Sequence, residues 1–493
     1  MPQIMYYSTN NKQEKVDFQT ALLNGMASNY GLYMMSQDSI PKISQEQIKK
    51  MCTKSYADIA FQVLHPFLKD EIEDDSLEKL LHDAYDEIAP KIQKVTNQVS
   101  IMWLTKGPTY SFKDYAARFF GRALNHFLTQ LDQKRVVIVA TSGDTGGAVA
   151  DALYELDRMD NIVFFPLDGI SEGQRRQMTT LGKNVYAFAV NGDFDVCQEL
   201  AKYLLGDKDF ANEVFNDEER FTSANSISVG RLLPQAVYPF FAYSRIAESG
   251  DEMVASIPSG NFGDMMGTVI AKEMGLPLEK IVCGVNENTE FPDFLETGKY
   301  VIKPTKVSPS SAMNVSHPSN LARLIDFYGG HMYDKRDKNG NAIEKGIITK
   351  MPNMEEMKKD ILSVAINNQS HYAIIKEVYD EFGIILDPHG AVSWDALDIY
   401  LQAKRIMIGE PYRTPSVVYE TADPGKFPDD IQKAIRVEPK LPPRMKAQAN
   451  QKERIYTIDS VPNETDEGKK QLSKEQILEA KEKIRDIYKF LIK

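Results

Sequence analysis

Hydrophobic and polar positions alternate along this chain with two different periods. Through the first hundred residues apolar side chains recur near helical spacing, as in FQTALLNGMASNYG and DSLEKLLHDAYDEIAPKIQKV. Residues three and four apart share one face of a helix, so the spacing predicts a mainly helical region over 1–100. From residue 101 to about 440 the texture changes to short β-rich apolar runs, each followed by a Gly- or Ser-rich turn and a helical pattern. That alternation predicts an α/β region with parallel-rich sheets flanked by helices. In RVVIVATSGDTGGAVADALYEL, Val136 to Ala140 predict a buried strand and Thr141 to Gly146 a loop, with Ala148, Val149, Ala152, Leu153 and Leu156 on one helix face. VASIPSGNFGDMMGTVIAKEMG repeats the unit, with a strand ending near Pro258, a loop through Gly263 and a helix closing at Gly275. IVFFPLD, NVYAFAV, IVCGV and PSVVYE supply further strands. Ligands of open α/β sheets bind at the carboxyl ends of the strands, where these loops lie.

Two polar stretches interrupt the pattern. YDKRDKNGNAIEKG predicts an excursion from the core with an Asn339-Gly340 turn, and PKLPPRMKAQANQKER predicts a linker at the start of 441–493. The terminal SKEQILEAKEKIRDIYKFLIK predicts a helix with Ser473 and Glu475 in its first turn.

Composition narrows the partners. A net charge of -12 argues against nucleic acid, whose phosphates demand a basic surface. No run reaches the roughly 18 apolar residues of a membrane span, and the opening segment has no apolar core of signal-peptide length. Cys52, Cys197 and Cys283 lie far apart with no metal spacing, which fits a reducing compartment. The scattered His317, His371 and His389 form no ligand set either. A cytoplasmic protein without a metal site is expected.

Chemistry concentrates in four loops. SGNFGD (Ser259 to Asp264) follows a strand and opens a helix, where glycines admit an anion to the helix amides; a plain turn is the alternative. TSGDTGG sets hydroxyls and a carboxylate at a second helix start, suited either to a substrate carboxylate or to capping by Ser142, Asp144 and Thr145. In TSANSISVGRLLPQ, Asn225 and Ser226 precede Arg231, whose planar donor fork matches a phosphate or carboxylate. In KGPTYSFKDYAARFF, Lys113 sits beside aromatic residues, an environment that makes a neutral amine available as nucleophile or base, whereas a lysine snorkelling at a helix start is the ordinary reading. An amine nucleophile, a phosphate cradle and a carboxylate loop together point to pyridoxal 5'-phosphate acting on an amino acid.

GPTYSFKDYAARF, ATSGDTGGAVA, ANSISVGRLLPQ, SGNFGD, SPSSAMNVSHPSNLARL and YETADPGKFPDDI occur in this order, and the chain resembles the long bacterial and fungal branch of the threonine synthase family over nearly its whole length. The resemblance implies a fold type II pyridoxal-phosphate enzyme, tryptophan synthase β-like, with a catalytic region of two lobes. It implies conversion of O-phospho-L-homoserine and water to L-threonine and phosphate by a monomer or homodimer. Lys113 would bond the cofactor aldehyde and serve as the base. Gly260, Asn261, Phe262, Gly263 and Asp264 would surround its phosphate, Thr421 would face the ring nitrogen, and Asp144 would approach the ring hydroxyl. Thr141, Ser142 and Thr145 would hold the substrate carboxylate, and Asn225, Ser226 and Arg231 the substrate phosphate. The chain departs from the family pattern at Ser228 (commonly Asn), Gly390 (commonly Thr) and Asp423 (commonly His), and it lacks the Arg-Gly pair after Ser8-Thr9. The rival readings are a phospholyase releasing 2-oxobutyrate, a β-replacement enzyme, and a non-catalytic phosphoamino-acid binder.

Overall fold

The computed structural model describes residues 3–248, 250–337, 342–465 and 469–489. The chain divides into two compact units, one formed by Met1–Ala116 with Ser226–Lys440 and the other by Ala117–Asn225 with Leu441–Lys493.

The first unit is built on a six-stranded sheet in the order Ile361–Ala365, Leu278–Val285, Met253–Pro258, Ser416–Glu420, Val99–Trp103, Lys91–Lys94. All its pairs are parallel except the last. Parallel strands are covered on both faces, so they read as unbroken apolar runs rather than alternating ones; every residue of Met253–Pro258 and Ser416–Glu420 is buried. Helix Pro388–Ile408 closes one face by laying Ala396, Leu397, Tyr400 and Leu401 against Val99, Ile101, Val254, Val282 and Val418. It starts where Asp387 accepts the amides of His389 and Gly390, with Pro388 in the first turn, where a missing N–H costs nothing.

The N-terminal region holds helices Phe18–Asn24, Tyr56–Leu68 and Asp74–Tyr85 beside a small antiparallel sheet of Asn11–Val16, Tyr6–Ser8 and Tyr33–Met34. Two helical readings shorten here. The first stops at Asn24 because Gly25 turns to φ 68. The second stops at Tyr85, after which Pro90 bars further helix and Lys91–Lys94 joins the large sheet as its antiparallel edge.

The second unit carries five parallel strands in the order Ile455–Ile458, Val185–Val190, Met159–Pro166, Arg135–Ala140, Phe221–Ser223. Leu200 and Leu204 from one helix, and Ile484 and Tyr488 from the C-terminal helix Lys474–Lys489, pack on Val136, Ile162, Phe164 and Phe188. Ser473 and Gln476 exchange side-chain to backbone hydrogen bonds at the start of that terminal helix, a capping box, and Glu475 lies in its first turn as expected. Helix Pro443–Gln448 forms within the expected linker, and the edge strand Ile455–Ile458 follows directly after it. The polar excursion is a hairpin of His331–Arg336 and Ala342–Lys350; its expected Asn339-Gly340 turn lies outside the described residues. No helix among the described residues is long and apolar enough to cross a membrane.

Helix Gly263–Glu273, which follows the strand ending at Pro258, is seated tightly on the turn Leu233–Ala236. A Cβ added at Gly267 would stand 2.7 Å from the Gln235 carbonyl carbon and 3.0 Å from the Ala236 nitrogen. Backbone cannot retreat as a flexible side chain can, so Gly267→Ala is expected to lower unfolding stability by about 1–3 kcal/mol. Urea denaturation measures this; an unchanged midpoint would show that the turn yields freely.

Candidate active site

Lys113 is the first residue of helix Lys113–Gln130, and the loop before it is folded around the next residue, Asp114. The Thr109 amide and hydroxyl both donate to the Asp114 carboxylate, at 2.9 and 2.5 Å, and Gly107 lies so close that a Cβ would fall 2.2 Å from Asp114 Oδ2. This loop then pairs with the chain leaving strand Ser416–Glu420. The Leu104 amide donates to the Glu420 carbonyl at 3.0 Å, Phe112 to Thr421 at 2.8 Å, and Asp423 to Tyr110 at 3.0 Å. Ser111 and Ala422 form an antiparallel bridge between them. Lys426 Nζ adds a bond to the Thr109 carbonyl at 2.8 Å. Lys113 and Thr421 are thereby fixed by one backbone ladder. The Lys113 ammonium stands 5.7 Å from the Phe112 ring centroid, and the Tyr238 hydroxyl donates to the Phe112 carbonyl at 3.2 Å.

The Ser259–Asp264 loop supplies the second part. Phe262 takes the N-cap position in a left-handed conformation, φ 63 and ψ 22, with no side-chain cap bond, so the cap residue itself takes up none of the first-turn amides that an external anion would use. Gly260 has no room for a side chain: a Cβ would lie 2.8 Å from the Ala312 carbonyl oxygen. Gly263 presses on Gln235, whose amide in turn donates to the Arg231 carbonyl at 2.8 Å. Asp264 lies inside the first turn and accepts the Met265 amide at 2.9 Å. Burial lifts its pKa from 3.8 to about 7, an effect that its backbone hydrogen bonds and the Lys113 charge only partly oppose.

Sequence reasoning missed Arg323, which holds these pieces together. Its guanidinium is fully buried and donates through Nε to the Tyr33 carbonyl (3.0 Å), through Nη1 to Asn320 Oδ1 (2.6 Å) and through Nη2 to the Ile227 carbonyl (2.6 Å). Asn320 returns two bonds to the Asn261 carbonyl, at 3.2 and 3.0 Å, and Asn261 Oδ1 accepts the Ser319 amide. One planar cation thus joins the N-terminal sheet, the Asn261 loop and the segment before Arg231, which suits arginine and not lysine. Burial lowers its pKa to about 9. On the same short helix, Asp326 accepts the Tyr7 hydroxyl at 2.5 Å and pairs with Lys12 at 2.7 Å. The available signal was an Arg-and-Asp pair, Arg323 and Asp326, within the apolar LARLIDF.

Arg231 occupies the short helix Val229–Leu232, capped by the Ser228 hydroxyl on the Gly230 amide. It is buried, and desolvation brings its pKa down to about 10. Ser226 is half-buried in the same unit, whereas Asn225 is exposed at the end of the other one.

In the second unit the Thr141 hydroxyl is committed to its own loop, accepting the Gly143 and Gly146 amides at 2.9 Å each. Gly143 holds the N-cap position of helix Asp144–Leu153 at φ 149. Capping therefore falls to Thr141 and Gly143, not to Ser142 or Thr145, which are exposed and half-buried. Asp144 is buried and accepts the Gln174 amide at 3.0 Å.

Comparison with known proteins gives matching results along the chain. Residues 5–85 match the family described as threonine synthase N terminus, residues 101–411 the pyridoxal-phosphate dependent enzymes, and residues 400–469 the threonine synthase C-terminal family. The threonine synthase of Pseudomonas aeruginosa is 31% identical over 475 residues, spanning 93% of this chain and 96% of that protein. That of Saccharomyces cerevisiae is also 31% identical, over 87% of this chain and 89% of the relative. Among solved structures, the PLP-bound threonine synthase from Brucella melitensis superposes with a TM-score of 0.84 at 28% identity, covering 98% of this chain and 99% of that one.

Two outcomes test this geometry. Arg323→Met leaves two buried carbonyls and an amide oxygen without their donor, at about 1–3 kcal/mol each; a loss below about 1 kcal/mol in urea denaturation would show that the cation is dispensable. For Asp264 the raised folded pKa means that the folded cofactor-free protein binds more protons than the unfolded chain between about pH 4 and 7. Stability therefore falls as pH rises through that window. Asp264→Asn is expected to remove this part of the slope, which paired denaturation series at several pH values would read.

Proposed function

This chain belongs to the threonine synthase family of pyridoxal-phosphate-dependent enzymes, and we propose from that premise that it converts O-phospho-L-homoserine and water into L-threonine and phosphate with Lys113 as its central base. The observation that supports the assignment of residues is the ladder from Tyr110 to Asp423, which ties the backbone leading into Lys113 to the backbone around Thr421 within the unit that also contains the Gly260–Asp264 loop.

The residues fit pyridoxal 5'-phosphate. Gly260 and Gly263 pack their backbone against Ala312 and Gln235, where a Cβ would not fit, and the cap residue Phe262 makes no side-chain bond to the helix start, which suits the approach of a phosphate there. Asn261 is oriented by Ser319 and Asn320, so the loop is preorganised rather than gathered on binding. When bound, the cofactor supplies an electron sink for negative charge developing on the substrate's carbon skeleton.

The chain's own groups do the rest. The Lys113 amine takes the proton from the substrate α-carbon and is held beside it by the ladder, so little orientational freedom is lost at the reaction step. A second proton leaves the β-carbon for a base, phosphate departs from the γ-carbon with the bonding electrons, the γ-carbon is protonated, water adds its hydroxyl at the β-carbon, the α-carbon regains a proton from Lys113, and the proton left over leaves on the phosphate. Arg231, positioned through Gln235 next to the Gly263 turn, grips the substrate phosphate together with Ser226, and Asn225 joins them by the family resemblance. Its desolvated guanidinium is strengthened by exclusion of water. The loop of the second unit, taken by itself, offers the Ser142 and Thr145 hydroxyls to a carboxylate while Thr141 braces it and Asp144 is aimed by Gln174. Asp423, in place of the family's histidine, caps the turn Pro424–Lys426 by accepting the Gly425 amide at 2.9 Å. The departure therefore serves the segment whose Lys426 braces Thr109.

Purified protein loaded with cofactor is expected to absorb near ~410 nm through the bond to Lys113, a band lost in Lys113→Ala. With O-phospho-L-homoserine, threonine should appear mole for mole with phosphate. Phosphate accompanied by 2-oxobutyrate would instead identify a phospholyase, and a colourless protein would refute the assignment of Lys113.

A further inference from the structure

Gly390 and Glu420 occupy one another's space. A Cβ added at Gly390 would stand 1.6 Å from Glu420 Oε2 and 2.6 Å from its carboxyl carbon, so the carboxyl of Glu420 fills the place where residue 390 would otherwise carry a side chain. That carboxyl is fully buried. Its Oε1 accepts the Asp387 amide at 2.7 Å, and Oε2 is sealed from solvent with no donor in range.

The neighbouring Asp387 carboxylate is differently placed. Oδ1 accepts the His389 amide at 2.8 Å and the ring Nδ1, and Oδ2 accepts the amides of Gly390 at 3.3 Å and Ala422 at 3.4 Å. Four N–H donors suit an acceptor-only, ionised group. On its other side His389 Nε2 accepts the Ala312 amide at 3.1 Å, which places the ring proton on Nδ1 and leaves the imidazole neutral. Burial, and next the charge on Asp387, hold the Glu420 carboxyl well above its ordinary range. The donors around Asp387 suit its carboxylate form, and burial disfavours a second anion at Glu420 beside it.

Its two ends reach the two ends of the proposed cofactor cradle. Glu420 immediately precedes Thr421, and Asp387 bonds the Ala422 amide. Ala312, held by His389, presents the carbonyl that abuts Gly260 in the phosphate loop.

We propose that Glu420, Asp387 and His389 form a strut that sets the position of Thr421 relative to Gly260, in which Glu420 is a neutral carboxylic acid donating toward Asp387 and the absent side chain of Gly390 is the space that admits it. All three are positioning residues, and the proposal rests on the reading that the cofactor lies between Thr421 and Gly260. It accounts for the departure at Gly390: any side chain there expels the acid from its seat.

Affinity for pyridoxal 5'-phosphate, measured by titrating cofactor-free protein, and urea denaturation of the same cofactor-free proteins test this in a four-variant cycle. Gly390→Ala suits the helix backbone, so its expected loss of about tenfold or more in cofactor affinity, equivalent to ~1.4 kcal/mol, comes from displacing Glu420. In a Glu420→Ala background the same substitution should cost less than about threefold, because the space is vacant. Glu420→Gln keeps the shape, accepts from the Asp387 amide and donates to its carboxylate, so it should retain cofactor affinity and absorbance where Glu420→Ala does not. Equal effects of Gly390→Ala in both backgrounds, or Glu420→Gln as damaging as Glu420→Ala, would overturn the proposal. If Gly390→Ala does not fold, the comparison of Glu420→Gln with Glu420→Ala decides it alone. Coupling in cofactor-free denaturation with none in cofactor affinity would confirm the packing pair but reject its link to the cradle. Failure of the unsubstituted protein to develop the absorbance band on addition of pyridoxal 5'-phosphate would separately refute the cofactor reading.

Discussion

A short backbone ladder governs the organisation of the first unit. Amides and carbonyls of Tyr110 to Phe112 meet those of Thr421 to Asp423, although the two segments lie some three hundred positions apart in sequence. Lys113 begins its helix one residue after the ladder, so its direction is inherited from strand Ser416–Glu420. The surroundings are fitted to the same requirement. Asp114 closes the loop from one side, Lys426 braces it from another, and Tyr238 satisfies the remaining Phe112 carbonyl. An amine proposed to react would lose most of the advantage of intramolecularity if misplaced by one ångström, and the density of bonds around the Lys113 helix start suits that role.

The second organising principle is the handling of buried charge. Charged groups removed from water are costly unless hydrogen-bonded in full. Arg323 meets this condition by distributing its donors over three separate segments, and each acceptor is itself part of the site or of the N-terminal sheet. Asp387 meets it with four N–H donors, whereas burial beside Asp387 pushes the Glu420 carboxyl well above its ordinary range. Asp264 lies between these cases, lifted to about 7 by burial in a helix turn close to Lys113. Polar groups that would weaken an ordinary core here fix loops that lack regular secondary structure.

The departures from the family pattern follow the same local logic. Ser228 caps the short helix that carries Arg231, and Asp423 caps the turn that aims Lys426. Gly390 makes room for a carboxyl from a neighbouring strand. Each changes the means by which a segment is held and leaves Lys113 and the Gly260–Asp264 loop intact.

Much of this was legible in the chain itself. The apolar runs from Val136, Val254 and Ser416 became buried parallel strands because coverage on both faces demands continuous hydrophobicity, and the Gly-rich loops after them became helix starts. The order of the loop motifs carried the resemblance to threonine synthases, since glycines at anion-binding turns and a lysine at a helix start are local requirements written in adjacent residues. Local signals failed where a distant partner decided the outcome: Lys91–Lys94 left its helical pattern to extend a sheet, and Ile455–Ile458, just past the apparent linker, became an edge strand. The roles of Arg323, Glu420 and Gly390 were likewise beyond local reading. Whether an arginine is buried, a carboxyl keeps its proton or a glycine marks a vacancy depends on which atoms arrive from elsewhere in the chain. The sequence alone determined the buried parallel strands such as those from Val136, Val254 and Ser416, the chemical groups and the family; the tertiary structure decided the edge strands and the neighbours, and desolvation by those neighbours shifts the charge balance of each buried group.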